Sequence, residues 1–165
     1  MYKKIKHYIK EIIIFIVVMS VVANGLSLYR SGDLKQEKFH ISNITLLDGI
    51  SYTPTTNKPL LVHFWATWCP TCSMEASNIQ KISQYYEVLT IAVKSGDDTK
   101  IKNYLKKHTL NFKVINDKDA FIAHEFKVSA YPTTFIYNKD KELVFTDVGY
   151  TTTFGLWLRM WWAGL

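Results

Sequence analysis

A chain of 165 residues with 48% hydrophobic and 21% charged side chains is long enough for one ordinary domain and a short appendage, and too apolar to be disordered. Its formal net charge of +6 is not a nucleic-acid signature: Lys3, Lys4, Lys6 and Lys10 crowd the first ten residues, and setting them and Glu11 aside leaves 16 basic against 13 acidic residues. No basic run is interleaved with aromatics at a recognition spacing, and no internal repeat or low-complexity tract is present.

The N-terminal lysines precede an apolar run from Ile12 to Val22, which extends through Tyr29 to a length near the lower limit for a membrane-spanning helix. A basic flank before an apolar core holds that flank in the cytoplasm, so the remainder is expected to be exported. The run continues past the weak small-x-small site Ala23-Asn24-Gly25, which favours an uncleaved anchor over residues 1–29 rather than a cleaved signal peptide. Residues 30–38 are polar and suit a tether, and residues 39–165 are the expected domain.

The domain opens with a loose alternation from Phe39 to Leu46, and Asp48-Gly49 marks a turn, so a β-hairpin is predicted there. Leu60 to Ala66 is nearly continuous in apolar residues, as in a strand covered on both faces. Pro70 is suited to a first helical turn, and Ala76, Ile79, Ile82 and Tyr86 recur at intervals of three and four, predicting a helix with Cys69 at its N-terminal end. Val88 to Val93 is the next strand and completes a β-α-β unit. A helix over Thr99 to Lys107, a short strand over Phe112 to Ile115 and a short helix from Asp119, near its cap, to Phe126 follow. Pro132 to Tyr137 and Leu143 to Val148 read as an antiparallel hairpin. The end, Thr151 to Trp162, reads as a helix whose Trp157, Trp161 and Trp162 are expected to pack on the sheet, the alternative being a membrane interface.

Both cysteines lie in Trp68-Cys69-Pro70-Thr71-Cys72, at the change from strand to helix. A disulfide across two residues closes too short a loop to be a useful staple. Covalent haem needs His after the second cysteine, where this chain has Ser73, and a zinc site needs about four ligands, whereas His7, His40, His63, His108 and His124 show no paired spacing. A dithiol that cycles between thiol and disulfide is the reading that strand, Cys-x-x-Cys and helix in this order support. No other cofactor is called for.

Trp65-Ala66-Thr67-Trp68-Cys69-Pro70-Thr71-Cys72, together with Ala130-Tyr131-Pro132-Thr133-Thr134, resembles the thioredoxin superfamily over about residues 39–162. The resemblance implies a thioredoxin-like α/β fold: a central mixed β-sheet flanked by helices, preceded here by the hairpin and the membrane helix. With the anchor, the Trp-Cys-Pro-Thr-Cys motif resembles the exported, membrane-tethered TlpA-type reductases, including those of cytochrome c maturation. Val93 to Asp98, Val114 to Asp117 and the ending from Gly149 to Ala163 look closer to the D-type component of suppressor-of-copper-sensitivity systems.

By this resemblance Cys69 is the exposed nucleophile and Cys72 the resolving thiol, with Trp68, Tyr131 and a cis Pro132 beside them to receive an extended substrate segment. A helix N-terminus would lower the pKa of Cys69, in keeping with that role. Glu75 matches a glutamate that TlpA-type reductases carry near the active site; it is either a proton-handling group or an ordinary exposed acid of the first helical turn. His63 departs from the pattern, standing where general thioredoxins bury an acid; it is either a proton shuttle or, the favoured reading, a packed neutral histidine. The implied activity is protein-disulfide reduction on the periplasmic or extracytoplasmic side of a bacterial inner membrane, on disulfide-containing protein partners, with a membrane protein as electron donor. The alternatives are a disulfide-forming oxidant and a copper(I)-binding protein using the same thiolates, although copper carriers of this fold typically have Cys-x-x-x-Cys spacing.

Overall fold

A computed structural model describes residues 44–165, together with Phe39 and the helical residues Tyr8, Lys10, Glu11, Ile12, Ile14, Phe15 and Val18. The rest of the expected membrane segment and tether lies outside the described residues. No helix among those described is long and apolar enough to cross a membrane.

Strands β1 (Ile44–Thr45) and β2 (Ser51–Tyr52) pair antiparallel, Ile44 against Tyr52, across a turn in which Asp48 Oδ1 accepts the Ile50 N–H at 3.0 Å. The predicted hairpin began at Phe39; residues 40–43 of its first strand fall outside the described residues. A separate five-stranded sheet is built from β3 (Leu60–Trp65), β4 (Glu87–Val93), β5 (Lys113–Asp117), β6 (Thr133–Tyr137) and β7 (Leu143–Val148), in the spatial order β5-β4-β3-β6-β7. β4 runs parallel to β3 and β5 parallel to β4, whereas β6 and β7 are antiparallel additions, so the sheet is mixed.

The central position of β3 explains its composition: all six residues are buried. Successive side chains of a strand point to opposite faces, and here each face meets its own apolar layer. Leu61 and Trp65 join Ile79 and Ile82 of α1 (Pro70–Ile82), Ile101 of α2 (Asp98–Lys107), and Leu156 and Met160 of α4 (Thr153–Ala163). Leu60, Val62 and Phe64 join Phe39, Tyr137, Phe135 and the residues Ala123 and Phe126 at α3 (Phe121–Glu125). Helices therefore cover both faces of the sheet, which is the thioredoxin-like arrangement the sequence implied.

Two local expectations are corrected. The N-cap position of α3 is Ala120, next to the expected Asp119, but the side chain that serves the first turn is that of Asp117: its two carboxylate oxygens accept the N–H groups of Ile122 (3.1 Å) and Ala123 (2.8 Å). Asp117 is the last residue of β5 and already buried, so its carboxylate reaches two of the orphan amides of the short helix from the sheet. In α4 the face on the sheet is Leu156, Met160 and Ala163, while Trp157, Trp161 and Trp162 point outward. The helix begins at Thr153, with the Thr152 hydroxyl accepting the Gly155 N–H.

Candidate active site

The reactive pair sits where β3 ends and α1 begins. Cys69 is the N-cap of α1: its backbone is extended, its Sγ accepts the Cys72 N–H at 3.1 Å, and Pro70 follows in the first turn, where a missing N–H costs nothing. Cys69 and Cys72 are joined as a disulfide, and Cys69, expected to be exposed, is largely covered at 6%, although less so than Cys72 at 2%. The loop leading to them is held by the buried Ser95, whose Oγ accepts the Thr67 N–H (3.0 Å) and donates to the Val93 carbonyl (3.1 Å).

The residues expected beside the dithiol are brought to it. The Tyr131–Pro132 peptide is cis, and the Tyr131 carbonyl oxygen lies 3.7 Å from Cys69 Sγ. Gly149, at φ +103°, turns the chain out of β7 through a conformation that L side chains rarely adopt, and its N–H donates to the Pro132 carbonyl at 2.8 Å. Trp68 stands largely exposed over this corner: its indole N–H donates to the Lys94 carbonyl at 3.1 Å, and its ring meets that of Tyr131 edge-on at 5.8 Å. Its apolar face is thus presented to solvent next to the disulfide.

Glu75 is not the exposed first-turn acid that was one of the two expectations. It is fully buried on α1, three residues beyond Cys72. One carboxylate oxygen accepts the Thr151 N–H at 3.0 Å, and the other meets no donor. Burial therefore raises its pKa to about 8, with the Thr151 hydrogen bond pulling down and the nearby Asp147 charge pushing up. Asp147 is itself raised by burial and held down by Arg159, whose Nε lies 3.1 Å from its carboxylate.

His63 is buried within the sheet, Nδ1 2.9 Å from the Thr134 hydroxyl, and burial lowers its pKa to about 3. This is the packed neutral histidine. It belongs to a cross-strand row in which Thr90, His63, Thr134 and Asp147 lie opposite one another on β4, β3, β6 and β7.

Sequence reasoning missed Ser95, Asn78, Asp147 and Arg159. Asn78, one turn beyond Glu75, donates to the Tyr150 hydroxyl and the Thr151 carbonyl and accepts from the Thr153 hydroxyl, so the two side chains grip the β7–α4 connection together. A signal for Glu75 was available: Cys72, Glu75, Ile79, Ile82 and Tyr86 share one helical stripe, and an acid on a buried stripe is exceptional. Among the described residues, no group of three or more His, Cys, Asp or Glu side chains is placed to hold a metal ion.

A disulfide at the N-terminus of a helix, beside a cis-proline in a thioredoxin-like fold, is the arrangement of a thiol–disulfide oxidoreductase, whose redox group is the cysteine pair itself. The chain belongs to the AhpC/TSA family, whose model matches residues 34–146. It is 30% identical to a thioredoxin-like protein of Haemophilus influenzae across 97% of both chains. It is 29% identical to the thiol-disulfide oxidoreductase ResA of Bacillus cereus, across 86% of this chain and 88% of that one. The crystal structure of StoA from Bacillus subtilis superimposes with a TM-score of 0.63 at 21% identity, covering 74% of this chain and 95% of that one, a likeness of fold.

Proposed function

We propose that this protein is a membrane-tethered, exported reductant of disulfides in selected protein partners. The observation that carries the direction is the environment of the dithiol. A lowered cysteine pKa stabilises the reduced pair and makes a strong oxidant, and a nearby cation adds to the lowering that a helix N-terminus gives. Here the first turn of α1 holds Pro70, Thr71, Cys72 and Ser73 but no cation, Arg159 is engaged by Asp147, and the neighbouring ionisable group is the buried acid Glu75. The helix N-terminus favours the thiolate and the buried acid Glu75 on the same helix opposes it, a balance that suits a reductant.

In the reduced protein the Cys69 thiolate attacks one sulfur of the partner's disulfide, forming a mixed disulfide and releasing the partner's other sulfur as a thiolate, which takes up a proton. Cys72 then gives up its proton and attacks Cys69 Sγ, so that the second partner thiolate leaves and the Cys69–Cys72 disulfide forms. Two electrons pass to the partner. Glu75, in its ionised form, is the group suited to take the Cys72 proton: it lies three residues along the same helix, and its pKa of about 8 is close to that of a thiol. His63, which binds a proton only near pH 3, serves packing instead. Trp68, Tyr131 and Pro132 form the platform for the partner's segment around the sulfur.

Tethering is supported by the basic and apolar N-terminal sequence, and by the exposure of Ile12, Ile14, Phe15 and Val18 on helical backbone. Restoring the dithiol outside the cytoplasm needs an electron donor, which we assign to a membrane protein with its own dithiol. The TlpA-type and suppressor-of-copper-sensitivity resemblances point to partners in cytochrome c maturation or copper tolerance. A Cys72→Ser chain should accumulate partners as mixed disulfides on Cys69, which a Cys69→Ser/Cys72→Ser control does not. A reduction potential near the thioredoxin value of about −270 mV supports reduction, and one near about −120 mV overturns it in favour of an oxidant.

A further inference from the structure

Helix α4 is apolar on two opposite faces, and the tertiary structure uses only one. Leu156, Met160 and Ala163 are buried, whereas Phe154, Trp157, Leu158, Trp161, Trp162 and Leu165 are exposed. At 100° per residue the five within the helix fall on one continuous side of it, and Leu165 follows just past its C-cap, Gly164. A helix on a soluble surface normally carries charge there. The sole ionised side chain between Thr153 and Leu165 is Arg159, and it is turned away, to Asp147 and the Gly155 carbonyl.

What lies near this stripe is fixed by where the chain enters the domain. The Phe39 N–H donates to the Lys141 carbonyl at 3.1 Å, in the turn joining β6 to β7, and its ring packs on Phe126 and Tyr137. Lys139 of the same turn donates from Nζ to the Leu165 carbonyl at 3.4 Å, so the end of α4 and the entry of the tether share one end of the sheet. Pro59, next to the first residue of β3, lies beside Gly164 at that end. The dithiol is at the other end of β3, about 17 Å along the strand. Ten residue steps separate Tyr29, where the apolar run ends, from Phe39, a covalent reach of at most about 35 Å. The tether thus enters the domain at the end that carries Trp161, Trp162 and Leu165, within covalent reach of the bilayer.

We propose that the outer face of α4, at its C-terminal end, rests in the headgroup layer of the membrane, with the dithiol directed away from it. Tryptophan suits this layer, having a large apolar ring and one N–H that can be satisfied there. The basic side chains at the same end, Lys58 and Lys139, are exposed and complement anionic headgroups; the acids there are Asp140 and Glu142 of the β6–β7 turn and Glu87, which is bound to Thr55 and Tyr52, while Lys141 is tied to the Thr55 and Lys58 carbonyls. This inference rests on the tethered reading above.

The sequence provides the probe, because no tryptophan precedes Trp65 and indole fluorescence therefore reports the domain alone. The full chain is reconstituted into vesicles of phosphatidylglycerol and phosphatidylethanolamine, plain or with acyl chains brominated close to the carbonyl end, and recovered by flotation. Bromine is expected to quench part of the emission, and a Trp161→Phe/Trp162→Phe chain is expected to lose most of that quenching while reducing a soluble disulfide at the wild-type rate. A chain that floats with vesicles but shows equal emission in both lipids, or quenching unchanged in the double variant, overturns the docking and leaves the tether standing. A chain that does not float overturns the tether and the docking with it.

Discussion

Glu75 accepts the Thr151 amide hydrogen at 3.0 Å with one carboxylate oxygen while the other, equally buried, has no donor. The second oxygen makes the ionised form costly, so the folded protein holds a proton there up to about pH 8, whereas an ordinary glutamate releases it near 4.5. The folded state therefore binds more protons than the unfolded state between these values, and stability falls as pH rises through that window, by up to about 1.4 kcal/mol per pH unit. Glu75→Gln removes the titration. Urea unfolding at pH 5, 7 and 9 should show the wild type weakening toward alkali more steeply than the variant. The same substitution is expected to slow resolution of the mixed disulfide by about 100-fold or more, the range of general acid–base assistance, and to abolish the inflection near pH 8 in its rate.

His63 acts with the opposite sign. Its folded pKa of about 3 lies below its ordinary value of 6.5, so unfolding takes up a proton between these values and stability falls as pH drops through them. His63→Asn should flatten the acid limb of the stability profile and leave the alkaline limb to Glu75. Chemical denaturation from pH 3 to 7 gives the comparison. A single maximum between the two limbs, near pH 5 to 6, is expected for the wild type on these two groups.

Ser95→Ala strips the Thr67 amide of its acceptor and frees the loop that leads into Cys69. A loss of about 1 kcal/mol in stability is expected from the hydrogen bond alone. Because the loop positions the nucleophile, the rate of attack by Cys69 should fall as well; Ser95→Thr, which keeps the hydroxyl, should restore both. Denaturation and stopped-flow reduction of a model disulfide separate the two effects.

Trp68→Ala removes an exposed ring whose contacts are the Lys94 carbonyl and Tyr131, so stability should change by no more than about 0.5 kcal/mol. Partner binding should weaken while attack on a small aromatic disulfide proceeds nearly as before. Parallel assays with a protein partner and the small disulfide test this split.

The scaffold was legible because its signals are local. The nearly continuous apolar run of β3 marks a strand covered twice, and Pro70 with Ala76, Ile79 and Ile82 marks α1 and places Cys69 at its tip, although the helix ends before Tyr86, the last residue of the expected stripe. Pro132 was legible through motif resemblance. What escaped depends on residues far apart in sequence. The partners of Asn78 lie 72 to 75 positions away, and that of Glu75 lies 76 away. No window of sequence contains both halves of such a pair. Asp117 was passed over as the side chain serving the first turn of α3 because it counts as the end of a strand, four residues ahead of the helix it serves. The tryptophans of α4 misled for a different reason: both sides of that helix are apolar, so periodicity alone could not say which side meets the sheet.

The sulfur of Cys69 accepts a backbone amide hydrogen from Cys72, the residue whose own sulfur completes the disulfide. The Cys72 main-chain proton is therefore in contact with the redox couple. When electrons arrive and Cys69 becomes a thiolate, that amide meets a full negative charge, a stronger acceptor than a disulfide sulfur. The Cys72 amide becomes a built-in gauge: its exchange with deuterated solvent should slow and its proton resonance move downfield on reduction, so the oxidation state of the pair can be read from the backbone without labelling either cysteine.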